Sequence, residues 1–167
     1  MACAYLLKSR HELAMASLHR ALEINPNFSI GYGSMGTVLA WSGEYDESVK
    51  RNELALRANP QDPSNFFRHF GLALANYLAA RPDKGLAHAR AVAQARPHWW
   101  LGQVIYAASL VQSDRLDEAH RIAADLASLQ TDANAPDIAM LPFAKAADRQ
   151  RLMRDLASAG LLQPQQS

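Results

Sequence analysis

Small side chains recur along this sequence at fixed distances that suit closely packed helices. Gly36 and Ser48 are 12 positions apart, and Ala55 follows after a further 7. The same steps of 12 and 7 separate Ala107, Ala119 and Leu126. Large apolar residues fill the intervening helical turns, as Met35 and Leu39 do. Because two helices approach closely only where the residues at their crossing are small, this pattern predicts paired helices and an all-α fold.

Prolines mark the ends of the predicted helix pairs. Pro26 and Pro60 are 34 positions apart, and Pro97 follows after 37. Since proline cannot continue a helix interior, each unit is expected to end near one of them. The predicted units are a truncated first repeat and three full repeats, at 1–28, 29–62, 63–99 and 100–130.

The third unit is longer than its neighbours. Its small residues align on Gly71, Gly85 and Val92, with steps of 14 and 7. This alignment places two of the three additional residues in the turn between its helices, at 80–83. It places the third at 61–63.

The period of 34, the small residues at fixed offsets and the closing prolines resemble tetratricopeptide repeats over about residues 1–129. The resemblance implies a tetratricopeptide-type αα superhelix, in which antiparallel helical hairpins stack as a right-handed solenoid. It also implies a binding scaffold rather than an enzyme, with the first helix of each hairpin lining a concave surface.

The C-terminal part departs from the repeat. Residues 131–144 are predicted to form a linker with one short helical turn. Residues 145–161 are predicted to form an amphipathic helix, since Leu152, Met153 and Leu156 share a face and Gly160 is suited to end it. A stack needs its last hydrophobic face covered, and this helix is expected to cap it. Residues 162–167 are expected to be disordered.

The same segment carries a second resemblance. Its Pro142-Phe143 opening and its closing Ala159-Gly160-Leu161 are similar to the end of tetratricopeptide regions downstream of bacterial adenylate cyclase domains and winged-helix transcriptional regulators. Residues 144–147 depart from the Arg-Asp-Pro-like stretch of that group. The resemblance implies the C-terminal interaction part of a larger bacterial regulator. Neither cyclase nor DNA-binding residues lie in this chain, so neither activity is expected.

Composition limits the partners and the cellular location that can be expected for this chain. Apolar residues make up 49% of the chain, and 17 basic against 16 acidic residues give a net charge of +1. Without a basic cluster, neither nucleic acid nor an anionic membrane is expected as a partner. Cys3 is the single cysteine, and no apolar run reaches the roughly 18 residues of a membrane span. A cytoplasmic protein is therefore expected.

Catalytic and metal-binding patterns are weak. The six histidines form no His-Glu-x-x-His motif, so no metal is expected. Gly31, Gly33 and Gly36 match a dinucleotide-binding spacing, but no strand precedes them. No cofactor and no enzymatic activity are therefore expected.

Binding residues follow from the resemblance, which implies that concave positions hold Thr37, Trp41, Asn65, Arg68, Asn76 and Gln112. An exposed Trp41 beside Arg68 would be a typical anchor for a peptide or helix of a protein partner. Two alternatives stay open. The truncated first repeat could pair two copies as a homo-oligomer, or Arg68 and polar neighbours could form a small-molecule pocket.

Overall fold

The computed structural model describes residues 10–129 and 138–162 of the chain. All regular structure in these two ranges is helical and no strand occurs in them, so the predicted all-α class is confirmed. A 3-10 turn at Ile138–Met140 precedes the last helix. The α-helices are α1 (His11–Ile24), α2 (Ser29–Trp41), α3 (Tyr45–Ala58), α4 (Asn65–Leu78), α5 (Pro82–Ala95), α6 (Trp100–Gln112), α7 (Leu116–Leu129) and α8 (Ala146–Ser158).

Six of these helices form three consecutive hairpins, α2–α3, α4–α5 and α6–α7. The hairpins lie side by side, because α4 also packs on α2 and α6 packs on α4. Helix α1 packs on α2 and matches the second helix of the predicted truncated repeat. The part of that repeat at residues 1–9 lies outside the described residues, as does the predicted tail from 163 onward.

The three hairpin turns share one backbone conformation. Gly43, Ala80 and Asp114 have φ angles of 86°, 54° and 56°, in the left-handed region that ends many helices. In each turn the next residue donates its N–H to a carbonyl five residues back, and the acceptors are Leu39, Asn76 and Leu110. Different sequences therefore close the three hairpins in the same way.

These turns correct the predicted alignment of the third unit. Counting 7 positions back from Ala80 reaches Ala73, whereas the same count from Gly43 reaches Gly36. Ala73 is fully buried, and a Cβ placed on Gly85 would lie 3.5 Å from its carbonyl oxygen. The equivalent of Gly36 is therefore Ala73 and not Gly71.

The predicted two-residue insertion in the 80–83 turn is therefore wrong. All three additional residues precede Ala73, because Pro60 lies 13 positions before it while Pro26 lies 10 before Gly36. The corrected steps in the third unit are 12 and 7, as in the other units. Two of the extra residues belong to the connection between α3 and α4, which has six residues where the connection before α2 has four, and the third lies in the first part of α4.

Asn52 on α3 fills the space that two glycines leave between α2 and α4. Its side chain is fully buried and donates from Nδ2 to the Ser48 carbonyl at 2.9 Å. A Cβ on Gly36 would collide with this amide, and one on Gly71 would lie 2.5 Å from its Nδ2 atom. The Asn52 side chain therefore requires a glycine at position 71. Gly71 nevertheless does not occupy the repeat position that the sequence suggested.

One hydrophobic core runs through the stack and includes residues of the C-terminal segment, among them Phe143, Leu152 and Leu156. A smaller cluster joins α1 to α2 through Ala14, Leu18, Met35 and Val38. Within the described ranges, no helix has the length and apolar character needed to cross a membrane.

Candidate functional site

Helix α8 crosses the row of hairpins instead of lying only on the last one. Its N-terminal flank contacts the α2–α3 turn, its middle contacts α4, and its C-terminal end contacts α6 and α7. Helix α8 packs on α6 of the last hairpin, where the cap was expected, but it also reaches the end of α4. The residues just before it contact the end of α2.

The first set of contacts lies at the α2–α3 turn. The Lys145 ammonium donates to the Gly43 carbonyl at 3.1 Å and lies 4.5 Å from the centre of the Tyr45 ring. The Tyr45 hydroxyl donates to Asp148 Oδ2 at 2.5 Å. Asp148 is only 3% exposed and Tyr45 is half-buried, so this pair is a partly buried, charge-assisted hydrogen bond.

The second set lies at the ends of α4 and α6. Arg151 donates to the Leu78 carbonyl. Asp155 Oδ2 accepts two hydrogen bonds, from the Tyr77 hydroxyl at 2.6 Å and from the Gln112 side-chain amide at 3.3 Å. Two hairpins therefore contribute donors to a single carboxylate oxygen of α8.

The segment before α8 packs on the stack as well. Ile138, Leu141 and Phe143 are buried, and the Phe143 ring meets the Trp41 ring edge-on with centroids 4.7 Å apart. The Ala144 N–H donates to the Trp41 carbonyl at 2.9 Å. The predicted helical turn is confirmed at 138–140, but the described part of the predicted linker is a packed element.

We call the row of residues that holds α8 the α8-binding face: Trp41, Tyr45, Tyr77, Leu78 and Gln112. With the corrected alignment, Leu78 takes the place in the α4–α5 hairpin that Trp41 takes in α2–α3 and Gln112 takes in α6–α7. The two-residue alignment error had placed Asn76 there instead. It therefore hid Tyr77 and Leu78 from the sequence-based site.

Trp41 is on this face but is not an exposed anchor. Its side chain is only 2% exposed, because Phe143 covers it. The expected exposed tryptophan is therefore wrong in this structure. Gln112 also lies on the α8-binding face, where its side-chain amide donates to Asp155.

Arg68 lies away from the α8-binding face and is 2% exposed. Its guanidinium forms an ion pair with Asp62 at 3.1 Å and donates to Asn65 Oδ1 at 2.5 Å. The Asn65 amide in turn donates to the Pro60 carbonyl at 2.8 Å. These contacts hold the lengthened connection before α4, so both predicted binding residues have structural contacts here.

Thr37 and Asn76 are also engaged within the stack. The Thr37 hydroxyl donates to the Gly33 carbonyl at 3.1 Å, and Thr37 is half-buried. The Asn76 amide donates to the Leu72 carbonyl at 2.8 Å, and its side chain is 3% exposed. The structure thus brings Trp41 and Gln112 together on the α8-binding face and leaves the other four predicted residues outside it.

The residues that sequence reasoning missed are two acid–tyrosine pairs. One available signal was the position of Asp148 and Asp155, seven residues apart on the same helical face as Leu152 and Leu156. A carboxylate on the apolar face of a helix indicates a buried polar partner. The partner tyrosines could not be paired with them from spacing.

Electrostatics keep these tyrosines as hydrogen-bond donors. Burial and the nearby Asp155 carboxylate raise the pKa of Tyr77 far above its ordinary value. Burial and Asp148 raise the pKa of Tyr45 in the same direction. Both hydroxyls therefore stay protonated across the physiological pH range, and they suit a negatively charged partner atom.

Two open cavities lie elsewhere, and Arg68 lines neither. One, of about 460 Å³, is bordered by α5, α6 and α7, with Arg90, Gln103 and Asp125 among its lining residues. The other, of about 650 Å³, lies beside His11, Glu44 and Ala144. The prediction of a small-molecule pocket around Arg68 gains no support from them.

Histidines do not gather into a metal site in the described ranges, where no group of three or more His, Cys, Asp or Glu side chains could hold an ion. Two of them do meet: His69 Nδ1 and His88 Nδ1 are 2.9 Å apart. Burial lowers the pKa of both rings. This pair joins α4 to α5 and was not predicted.

Comparisons with known proteins leave the family open. A scan against protein-family models found no match, and a search of the curated proteins found no significant similarity to this chain.

Proposed function

We propose that this chain is a tetratricopeptide-type interaction module whose α8-binding face binds an amphipathic helix of a partner protein. The observation that supports this most directly is the packing of α8, which buries one side of the helix against the stack. Leu152 and Leu156 are fully buried, and Asp148 and Asp155 accept hydrogen bonds from the stack. This is the arrangement by which a helix docks in a groove of another protein.

The repeat assignment in this proposal has two supports. Equivalent turns recur at Gly43, Ala80 and Asp114, with steps of 37 and 34 between them. Small residues also recur at the helix crossings, where the Ser48 hydroxyl donates to the Gly36 carbonyl at 2.7 Å. Helical repeats that stack in this way commonly serve as binding surfaces.

The test uses the full chain with Leu152→Ser and Leu156→Ser, two substitutions that weaken the packing of α8 on the stack. Helical peptides displayed on phage are selected for binding to this variant. Peptides that also bind the wild-type chain are removed. Selected peptides should shift the amide resonances of Tyr45, Tyr77 and Gln112. Peptides that shift only resonances away from this face would contradict the proposal.

The resemblance of the C-terminal segment to bacterial regulators extends the proposal to a signalling setting. The module would then deliver its partner to a catalytic or DNA-binding domain. A genomic reading frame that joins this chain to a cyclase or winged-helix domain would support this role. A frame that joins it to an unrelated enzyme would contradict it.

Self-association is a second candidate. Leu13 on α1 and Ile30 on α2 are 45% and 42% exposed, at the N-terminal end of the stack. Exposed apolar side chains of this kind favour an interface between copies. Light scattering at high micromolar concentration should then detect a dimer, and a strict monomer would exclude this candidate.

A further inference from the structure

The buried side of α8 has a defined pattern. Asp148, Leu152, Asp155 and Leu156 occupy positions 1, 5, 8 and 9 of one helical segment. At about 100° per residue these positions span roughly a third of the helix circumference. Asp155 is half-buried, Asp148 is buried, and the two leucines are fully buried.

The α8-binding face matches that pattern chemically. It offers three side-chain donors, from Tyr45, Tyr77 and Gln112, and all three point at carboxylates of α8. Hydrogen bonds from neutral donors to a carboxylate are stronger than those between neutral groups. The face therefore favours a helix with two acidic side chains seven residues apart.

The fit of α8 is imperfect. Among the described residues, Gln112 Oε1 has no hydrogen-bond partner although it is buried, and such an atom on the α8-binding face weakens the docking of the helix. A 13-residue helix is also marginal by itself in water. Helix α8 thus depends on its contacts with the stack, and a better-matched helix can compete for them.

We propose that α8 is an exchangeable internal ligand, displaced by a helix of another protein with acidic residues at positions 1 and 8 and leucines at positions 5 and 9. This inference rests on the proposed helix-binding function and adds the sequence class of the partner. Because α8 belongs to the same chain, it competes at a high effective concentration. The partner therefore binds weakly until α8 is loosened.

The test uses a fluorescein-labelled peptide of residues 143–161 and two full-length proteins. One is the wild-type chain, and the other carries Leu152→Ser and Leu156→Ser. Anisotropy should show that the labelled peptide binds the variant at least about tenfold more tightly than the wild type. Circular dichroism establishes that the variant keeps its helices.

A second peptide carries Asp148→Ala and Asp155→Ala. It should bind the loosened variant about tenfold more weakly than the unchanged peptide, since it forfeits all three hydrogen bonds to the carboxylates. Equal binding of the two peptides would overturn the acidic pattern while leaving a helix-binding function in place. No binding of either peptide to a folded variant would contradict both.

A measurement on the wild-type chain covers the case of a variant that does not fold. Excess unlabelled peptide should speed amide hydrogen exchange in α8 while leaving exchange in α4 unchanged. Unchanged exchange in α8 at saturating peptide would refute displacement. A wild-type dimer that disappears with Leu152→Ser would identify a second copy as the source of the helix, and would overturn the assignment to another protein.

Discussion

The Tyr77 hydroxyl lies 2.6 Å from Asp155 Oδ2 and donates a hydrogen bond to it, although the two residues are 78 positions apart in the chain. Tyr77 is 1% exposed, so water cannot replace the bond without opening the structure. This pair joins the end of α4 to the C-terminal helix and is a direct probe of how firmly α8 is held.

Tyr77→Phe removes this hydroxyl and leaves the ring in place. A hydrogen bond to a charged group contributes about 1.5–3 kcal/mol, and Gln112 still donates to Asp155. We therefore expect the free energy of unfolding to fall by about 1–2 kcal/mol, as measured by urea denaturation. Tyr32→Phe is the matched control, because that hydroxyl is exposed and donates to the Pro26 carbonyl at 3.2 Å; it should change stability by less than about 0.5 kcal/mol.

Gly36→Ala tests the packing of α2 against Asn52. The added methyl collides with the buried Asn52 amide, so the free energy of unfolding should fall by about 1–3 kcal/mol. Adding Asn52→Ala removes the obstacle, and thermal or urea melts of the double variant should recover at least about 0.5 kcal/mol relative to additivity.

The control for this pair is Gly33→Ala on the same helix. A Cβ there would lie 3.4 Å from Arg68 Cγ, and alanine is the better helix former. Stability should be unchanged or should rise by up to about 1 kcal/mol. Equal decreases in the free energy of unfolding for Gly33→Ala and Gly36→Ala would mean that the contact with the Asn52 amide is not what makes position 36 sensitive.

The His69–His88 pair predicts a pH dependence. Burial lowers the pKa of both rings, His69 lowers that of His88 further, and Glu53 on α3 opposes this in part. Because the folded pKa values lie below the ordinary value of about 6.5, the unfolded chain binds protons first. The stabilisation is complete above about pH 6.5 and is lost as the pH falls below it.

His88→Gln should make the stability curve flatter between pH 7 and pH 5, as followed by urea melts at each pH. His98→Gln alters an exposed histidine and should preserve the slope of the wild-type chain. A curve for His88→Gln that parallels the wild type would show that other groups set the pH dependence.

Ala80→Gly tests the left-handed turn of the α4–α5 hairpin. Alanine at φ 54° carries a steric cost of about 1–2 kcal/mol that glycine avoids, while glycine makes the unfolded chain more flexible. We expect a net gain of up to about 1 kcal/mol in a melting experiment. Ala79→Gly, at φ −82°, gains no such relief and should leave stability equal or lower.

The alignment of the α4–α5 hairpin shows what the spacing of small residues can predict and what it cannot. The steps of 12 and 7 between small residues predicted the helix pairs, because close crossings demand small side chains at any such site. Gly71 satisfied the same demand for another reason, since it makes room for Asn52 from the neighbouring helix. The sequence could not distinguish a glycine at the repeat position from one two residues away.

The helices, their pairing and the apolar face of α8 could be predicted from the sequence, because they follow from local periodicity and from turn residues. Where α8 lies and which residues bind it became known from the folded structure. The contacts of Trp41 with Phe143 and of Tyr77 with Asp155 join residues 102 and 78 positions apart. No periodic pattern encodes such pairs, because they depend on how the hairpins stack and on where the chain returns across them.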